Sequence, residues 1–265
     1  MRGFARRFAV LLFVLVSLGA GPSARATEYG DLWWNAAESG WGMQTAQQAS
    51  SMFITFYVFG SNGLPTGFTA LTTTTNGSTF TGTLYASQGS FYGAPYVAGP
   101  PARVVGSVTF TATSPTSANV SYTVDGVTVT KSVQRFLLAY HNLSGSYFGS
   151  FLSLRHNCAN PADNGPFNGS GQFTIVHDGT HHVTITALLS DNLRTFSCTW
   201  AGQYSQLGRI GAITGTYTCT DGHAGTWNAS EIEVSTLGGI LGRYTTTNVA
   251  PACQITGGFG GLKPG

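Results

Sequence analysis

The chain has 265 residues, of which only 8% are charged, with twelve Lys and Arg against ten Asp and Glu. So little charge excludes a nucleic-acid surface or a polybasic membrane contact as its organising feature. Thirty-six glycines, with polarity carried by Ser, Thr and Asn, suit an all-β protein better than a helical enzyme.

The N-terminus reads as a secretory signal peptide. Arg2, Arg6 and Arg7 form a basic start, Phe8 to Leu18 an apolar stretch, and Ala24-Arg25-Ala26 a small-x-small cleavage site ahead of Thr27. The apolar stretch is too short for a bilayer, which needs ~20 residues. A secreted or periplasmic protein with no membrane span in the mature chain is therefore expected. Removing Arg2, Arg6, Arg7 and Arg25 leaves eight basic residues against ten acidic ones, so the mature chain is net negative and nucleic acid is not an expected partner.

Trp33-Trp34-Asn35-Ala36-Ala37-Glu38-Ser39-Gly40-Trp41-Gly42 holds three of the five tryptophans and one carboxylate. Adjacent strand residues face opposite ways, so one of Trp33 and Trp34 points into a barrel and the other outward. Glu38-Ser39-Gly40 reads as a turn, with Gly40 free to take positive φ and Trp41 starting the return strand. Met52 to Phe59 follows, apolar on both faces except Thr55, and turns at Asn62-Gly63 into Leu64 to Leu71. Asn119 to Val133 is the clearest hairpin. Asp125-Gly126 supplies a type I′ turn, Val120, Tyr122, Val124, Val127, Val129 and Val133 share one face, and Ser and Thr share the other. About eight strands are expected between 31 and 137.

Tyr140-His141-Asn142 is the best boundary between two halves of similar length. The division expected is 27–139 and 140–258, after a leader at 1–26, with a loosely docked Gly-rich tail at 259–265. Seven or eight strands are expected in the second half, one hairpin turning at Asp178-Gly179. The fold class is all-β: two tandem antiparallel up-and-down meander barrels, or barrel-like sandwiches. All four cysteines, Cys158, Cys198, Cys219 and Cys253, lie in the second half, and an even count after a leader favours two disulfides. Cys198 and Cys219 sit symmetrically about Gly208, as cross-strand partners would, which leaves Cys158 with Cys253. No C-x2-C spacing supports zinc.

The segment from Leu32 to Gly42, with the aromatic strand and the Gly60–Pro65 turn after it, resembles a segment of uncharacterised exported bacterial proteins. These share a Trp-Trp-Asn-x-x-Glu-Ser-Gly-Trp-Gly string over roughly residues 30–70. Tyr217 to Gly222 and the stretch from Cys253 to Gly261 are similar to their C-terminal region. Ala36 stands where that pattern usually has Pro, Gln47 where His is frequent, and Gly67 where an aromatic is usual. The resemblance implies export and a fold, and no activity.

Two roles compete for the tryptophan block. As a platform, flat rings would stack on an apolar ligand face while Asn35 and Glu38 supply hydrogen bonds. As structure, Glu38 would cap N–H groups of its turn and the tryptophans would fill the core, which small β domains favour. Trp33, Trp34, Asn35, Glu38 and Trp41 are the candidate ligand-binding residues. The expected ligand is a glycan, a lipid or a small apolar molecule, and the rival role is a structural module of the cell envelope.

His177 and His182 share a face if the Asp178 hairpin has a two-residue loop, but exposed polar residues at a hairpin tip explain them better than a metal. No metal site or cofactor is expected. Glu231 and Glu233 are the one close acidic pair, read as i, i+2 on a solvent-facing strand. No catalytic motif is present, so no catalytic residue is assigned, and a hydrolase would need a spatially assembled site.

Overall fold

The structure is a computed structural model, and it describes residues 27–179, 181–190, 195–250 and 252–264. The expected leader lies outside the described residues. Sixteen strands form two closed eight-stranded antiparallel barrels in chain order. The first comprises β1 (Asp31–Trp34), β2 (Gly42–Gln48), β3 (Ser51–Phe59), β4 (Pro65–Thr73), β5 (Thr79–Ala86), β6 (Arg103–Ala112), β7 (Ser117–Val124) and β8 (Val127–Arg135). The second comprises β9 (Gly145–His156), β10 (Gly165–His177), β11 (His182–Ser190), β12 (Thr195–Leu207), β13 (Ile210–Cys219), β14 (Ala224–Val234), β15 (Gly239–Ala250) and β16 (Cys253–Leu262). A short 3₁₀ turn, Pro161–Asp163, follows β9. No helix among the described residues is long and apolar enough to cross a membrane.

Closure differs between the two. β1 meets β8 through two residue pairs, Trp33 with Arg135 and Trp34 with Gln134. β9 meets β16 through a continuous ladder from Gln254–His156 to Leu262–Phe148.

The Asp125-Gly126 hairpin forms as expected. Val124 pairs with Val127, and φ is 48° at Asp125 and 86° at Gly126, both positive as a type I′ turn requires. Val120, Tyr122 and Val133 face the core, while Thr128, Thr130 and Ser132 face solvent. The outward face of β3 is uncovered: Phe53, Tyr57 and Phe59 are exposed while Met52, Ile54 and Phe56 are fully buried.

Three expectations are corrected. Cys253 to Leu262 is the closing strand of the second barrel, so residues 259–262 belong to the sheet and not to a loose tail. Gly261 makes room for rings. A Cβ on Gly261 would lie 2.7 Å from Phe173 Cζ and 3.2 Å from Tyr147 Cβ. The Asp178 turn is longer than two residues, because His177 pairs with Val183. His182 is then one residue out of phase with His177, which is buried while His182 is exposed. Finally, β14 carries a bulge between Ser230 and Glu233, where Glu231 takes φ 50°. Glu231 and Glu233 therefore do not continue one regular face, and each is spoken for. Glu231 Oε1 lies 3.4 Å from Arg243 Nε, and Glu233 Oε2 lies 3.2 Å from Arg209 Nη1.

Both disulfides form as read from the spacing, Cys198–Cys219 and Cys158–Cys253. The first joins directly paired residues of β12 and β13. Both sit at the same end of the second barrel.

The other end of the second barrel meets the first. Arg135 is fully buried there, donating to Pro115 O (2.8 Å), Glu28 O (2.6 Å) and Asp31 Oδ2 (2.8 Å), with its guanidinium 5.1 Å from the Trp33 ring. Asp31 also accepts from the backbone of Arg209 in the β12–β13 turn (3.3 Å), and Arg209 pairs with Glu28. In the linker between barrels, the backbone N–H of His141 donates to Gln206 Oε1 (2.8 Å), and Ala139 O accepts from Gln206 Nε2 (3.0 Å). The linker thus docks onto the second barrel.

Candidate functional site

The tryptophan block runs along the first barrel: Trp33 lies beneath Arg135 at the junction, and the turn from Asn35 to Trp41 closes the end away from the second barrel. Trp33 is 1% exposed, and its indole N–H donates to Tyr29 O (3.1 Å) and Thr45 Oγ1 (3.0 Å). Trp34 faces the other way, edge-on to Phe136 at 5.0 Å, its buried N–H without a partner among the described residues. Trp41 packs on Phe56 and donates to the Tyr122 hydroxyl (3.1 Å). Gly40 has φ 89°, as the turn requires. Asn35, not Glu38, caps the turn: its Oδ1 accepts from Ala37 N (2.9 Å), and its carbonyl accepts from Glu38 N (3.0 Å). The Glu38 carboxylate instead accepts from Asn35 Nδ2 (3.0 Å) and pairs with Lys131. Lys131 sits opposite Val120 on the inward phase of β8. The turn therefore plugs the far barrel end, and four of the five candidate residues of the block are already hydrogen-bonded within the protein.

The second barrel offers a different feature. Inward positions surround an apolar cavity of about 170 Å³. Phe151, Phe167, Phe173, Trp200, Trp227 and Phe259 are among the rings that line it, alongside aliphatic side chains such as Ile213 and Ile255. Ala187 is a small inward residue of this wall, while Gly149 makes room for the Phe173 ring, 2.9 Å from where its Cβ would stand. The floor lies toward the first barrel. There Leu143, Tyr147, Tyr204 and Ile240 are buried, and Tyr204 donates to Gln206 Oε1 (2.9 Å). The rim carries both disulfides, Arg155, Asp221 and His223.

Polar groups in this wall are few. Tyr244 pairs with Ser153, and burial pushes its hydroxyl up to about 12. Tyr217 bonds to Asn248, with its hydroxyl raised by burial. Burial likewise holds the Tyr204 hydroxyl at about 12. At the rim, His223 Nδ1 lies 3.0 Å from Asp221 Oδ1. Among the described residues no Ser, Thr or Cys side chain hydrogen-bonds the His223 ring, so the pair has no adjacent nucleophile of the kind a hydrolytic triad needs. Trp227 is 5% exposed and its indole N–H has no partner among the described residues. A buried unpaired donor is costly, which makes it a place where a ligand acceptor gains binding energy. No three His, Cys, Asp or Glu side chains converge among the described residues in a way that could hold a metal.

Sequence reasoning did not single out Arg155, Trp200 or Trp227. One signal was available. Tyr147, Gly149, Phe151, Ser153 and Arg155 share the inward phase of β9, and a cation at the end of such a phase is unusual in a chain this poor in charge.

No protein-family model matches the chain, and no curated protein is similar to it. Among solved structures it is similar to a crystal structure of a protein of unknown function from the DUF3598 family of Nostoc punctiforme. That protein is 12% identical, with 84% of this chain and 88% of that chain covered and a TM-score of 0.21. A likeness that distant leaves function to be argued from this chain's own geometry.

Proposed function

We propose that the protein is an exported, non-catalytic binding protein whose second barrel takes up a small apolar molecule. The observation that carries this reading is the aromatic cavity open at the disulfide rim, with the Trp227 N–H meeting no acceptor among the described residues. An apolar cavity of ~150 Å³ is known to admit a single benzene ring, so the space here suits a ring or a short branched chain rather than a glycan or a long acyl chain. Binding sites for small molecules are concave, apolar and marked by few polar groups, and this one fits that description. Two disulfides and the expected leader support a secreted or periplasmic location.

The test is titration of the oxidised mature protein with toluene, followed by calorimetry and by the thermal midpoint. Saturable binding that disappears in Ala187→Leu, a variant that fills the cavity, is the expected result. Equal toluene binding by the wild type and Ala187→Leu would place the site elsewhere. The tryptophan block would then be the next site to test, through Trp41→Ala.

A further inference from the structure

We propose that the ligand carries an anionic acid group, and that Arg155 holds it at the cavity rim. This rests on the cavity being the binding site. Arg155 belongs to the inward phase of β9, where it pairs with Gly165 on one side and Ile255 on the other. Its guanidinium carbon lies 4.1 Å from the centroid of the Phe167 ring, and Phe167 packs edge-on to Phe151 at 5.5 Å. The cation is thus laid on the aromatic wall of the cavity, with its Nε buried and unpartnered among the described residues. No described carboxylate lies within ion-pair distance of it. The one carboxylate in the cavity wall, Asp221, is engaged with His223.

Of the other six described cations five are neutralised by carboxylates, and Lys263 donates to Ser144 O (2.9 Å) at the opposite end of the barrel. Arg103 pairs with Asp125, Lys131 with Glu38, Arg135 with Asp31, Arg209 with Glu28 and Glu233, and Arg243 with Glu231. Arg155 and Lys263 stand apart from this pattern, and of the two only Arg155 lines the cavity. A guanidinium presents a planar fork of donors matched to a carboxylate, and such charge-assisted bonds are the strong ones. Arg155, Ile255, Thr246 and Trp227 are successive cross-strand partners over β9, β16, β15 and β14. Both unpartnered donors therefore lie in one row of the wall, with apolar rings below them. An aromatic carboxylate has the chemistry for this arrangement: ring inward, acid toward the rim.

Benzoate and toluene share a ring and differ in charge, so they separate the two readings. In the oxidised mature protein benzoate is expected to bind at least about tenfold more tightly than toluene, the scale of one charged hydrogen bond. Arg155→Met is expected to weaken benzoate by about ten- to a hundredfold and leave toluene within about twofold, with Arg155→Lys restoring part of the loss. Raising salt from ~0.05 to ~0.5 M on the wild type is expected to weaken benzoate alone, a readout independent of how the variants fold. Toluene binding without a preference for benzoate, or benzoate binding indifferent to Arg155→Met and to salt, overturns the anion assignment only. Failure of both probes overturns the cavity reading, and this inference with it.

Discussion

The two barrels share a topology and differ in what they enclose. In the first, Trp33, Met43, Met52, Ile54, Phe56, Phe80, Leu84 and Phe110 converge on the axis with almost no exposure, and Trp41, Tyr122 and the Lys131–Glu38 pair close the end. In the second, Phe151, Phe167, Trp200 and Tyr244 keep to the wall, and the axis is open toward the disulfide rim. The difference lies in the distribution of size around the wall, not in hydrophobicity. The first barrel's core alternates medium aliphatic residues with aromatics that reach across. The second sets Phe151, Phe173 and Phe259 against glycines, Gly169, Gly149 and Gly242 among them, so those rings lie close to the wall next to them. A packed barrel is a stability device; a barrel with rings laid flat keeps a hole and needs other means to stay closed. The disulfides and the long β9–β16 ladder supply those means in the second barrel.

That contrast is open to attack, beginning with the disulfides. Replacing Cys158 and Cys253 with Ser is expected to destabilise the second barrel by about 4–5 kcal/mol, and replacing Cys198 and Cys219 by about 3 kcal/mol, on the loop sizes each closes. Denaturant unfolding with and without reductant checks both, and the first barrel is expected to be indifferent. Next come matched truncations. Ile54→Ala, at full burial in the first barrel, is expected to cost ~2–5 kcal/mol, whereas Ile185→Ala, in the cavity wall, is expected to cost under ~2 kcal/mol because it enlarges an existing space. Equal costs would mean that the second barrel is packed as fully as the first.

Alkali comes next. Tyr204 and Tyr244 are both held at about 12 by burial. A phenol raised in the folded state is protonated in both states below pH ~10, so its contribution is intact there. Stability is lost as pH rises from ~10 toward ~12, by ~1.4 kcal/mol per unit for each group. Chemical denaturation at pH ~9 and ~11 reads this, and Tyr204→Phe is expected to flatten it. Enlargement gives the smallest effects and the clearest contrast: Ala70→Leu in the first barrel is expected to cost ~1–3 kcal/mol, while Ala187→Leu is expected to cost little, as its added atoms enter the cavity.

Much of the architecture is legible in the sequence because it depends on local chemistry. Asp125-Gly126 announces its turn, alternation from Val120 to Val133 fixes the buried face, and the symmetry of Cys198 and Cys219 about Gly208 reflects a real hairpin register. What is not legible depends on partners far along the chain. The glycines at 257, 258, 260 and 261 look like a flexible end until their ladder to β9 and β15 is seen, with Phe173 and Tyr147 beside Gly261. The His177–Val183 register is hidden because Asp178-Gly179 resembles a shorter turn. Trp33 and Trp227 are both inward-facing tryptophans. Only the fold shows that the first has acceptors at Tyr29 and Thr45 and the second has none among the described residues. A binding residue and a core residue of the same type carry the same local signature.

The place of Cys253 at the head of β16 has a consequence for how the barrel is made. Its partner, Cys158, is 95 residues earlier and lies just past the end of β9, the strand that must wait for β16 before the sheet can close. Until that last strand arrives, β9 and β15 are open edges, the kind that invite pairing with another chain. Oxidation of Cys158 with Cys253 then acts as a latch, because the thiols meet only once the closing ladder has formed. A chain that carries this bond has passed its own assembly check, and the pool of oxidised molecules is enriched in barrels that are shut.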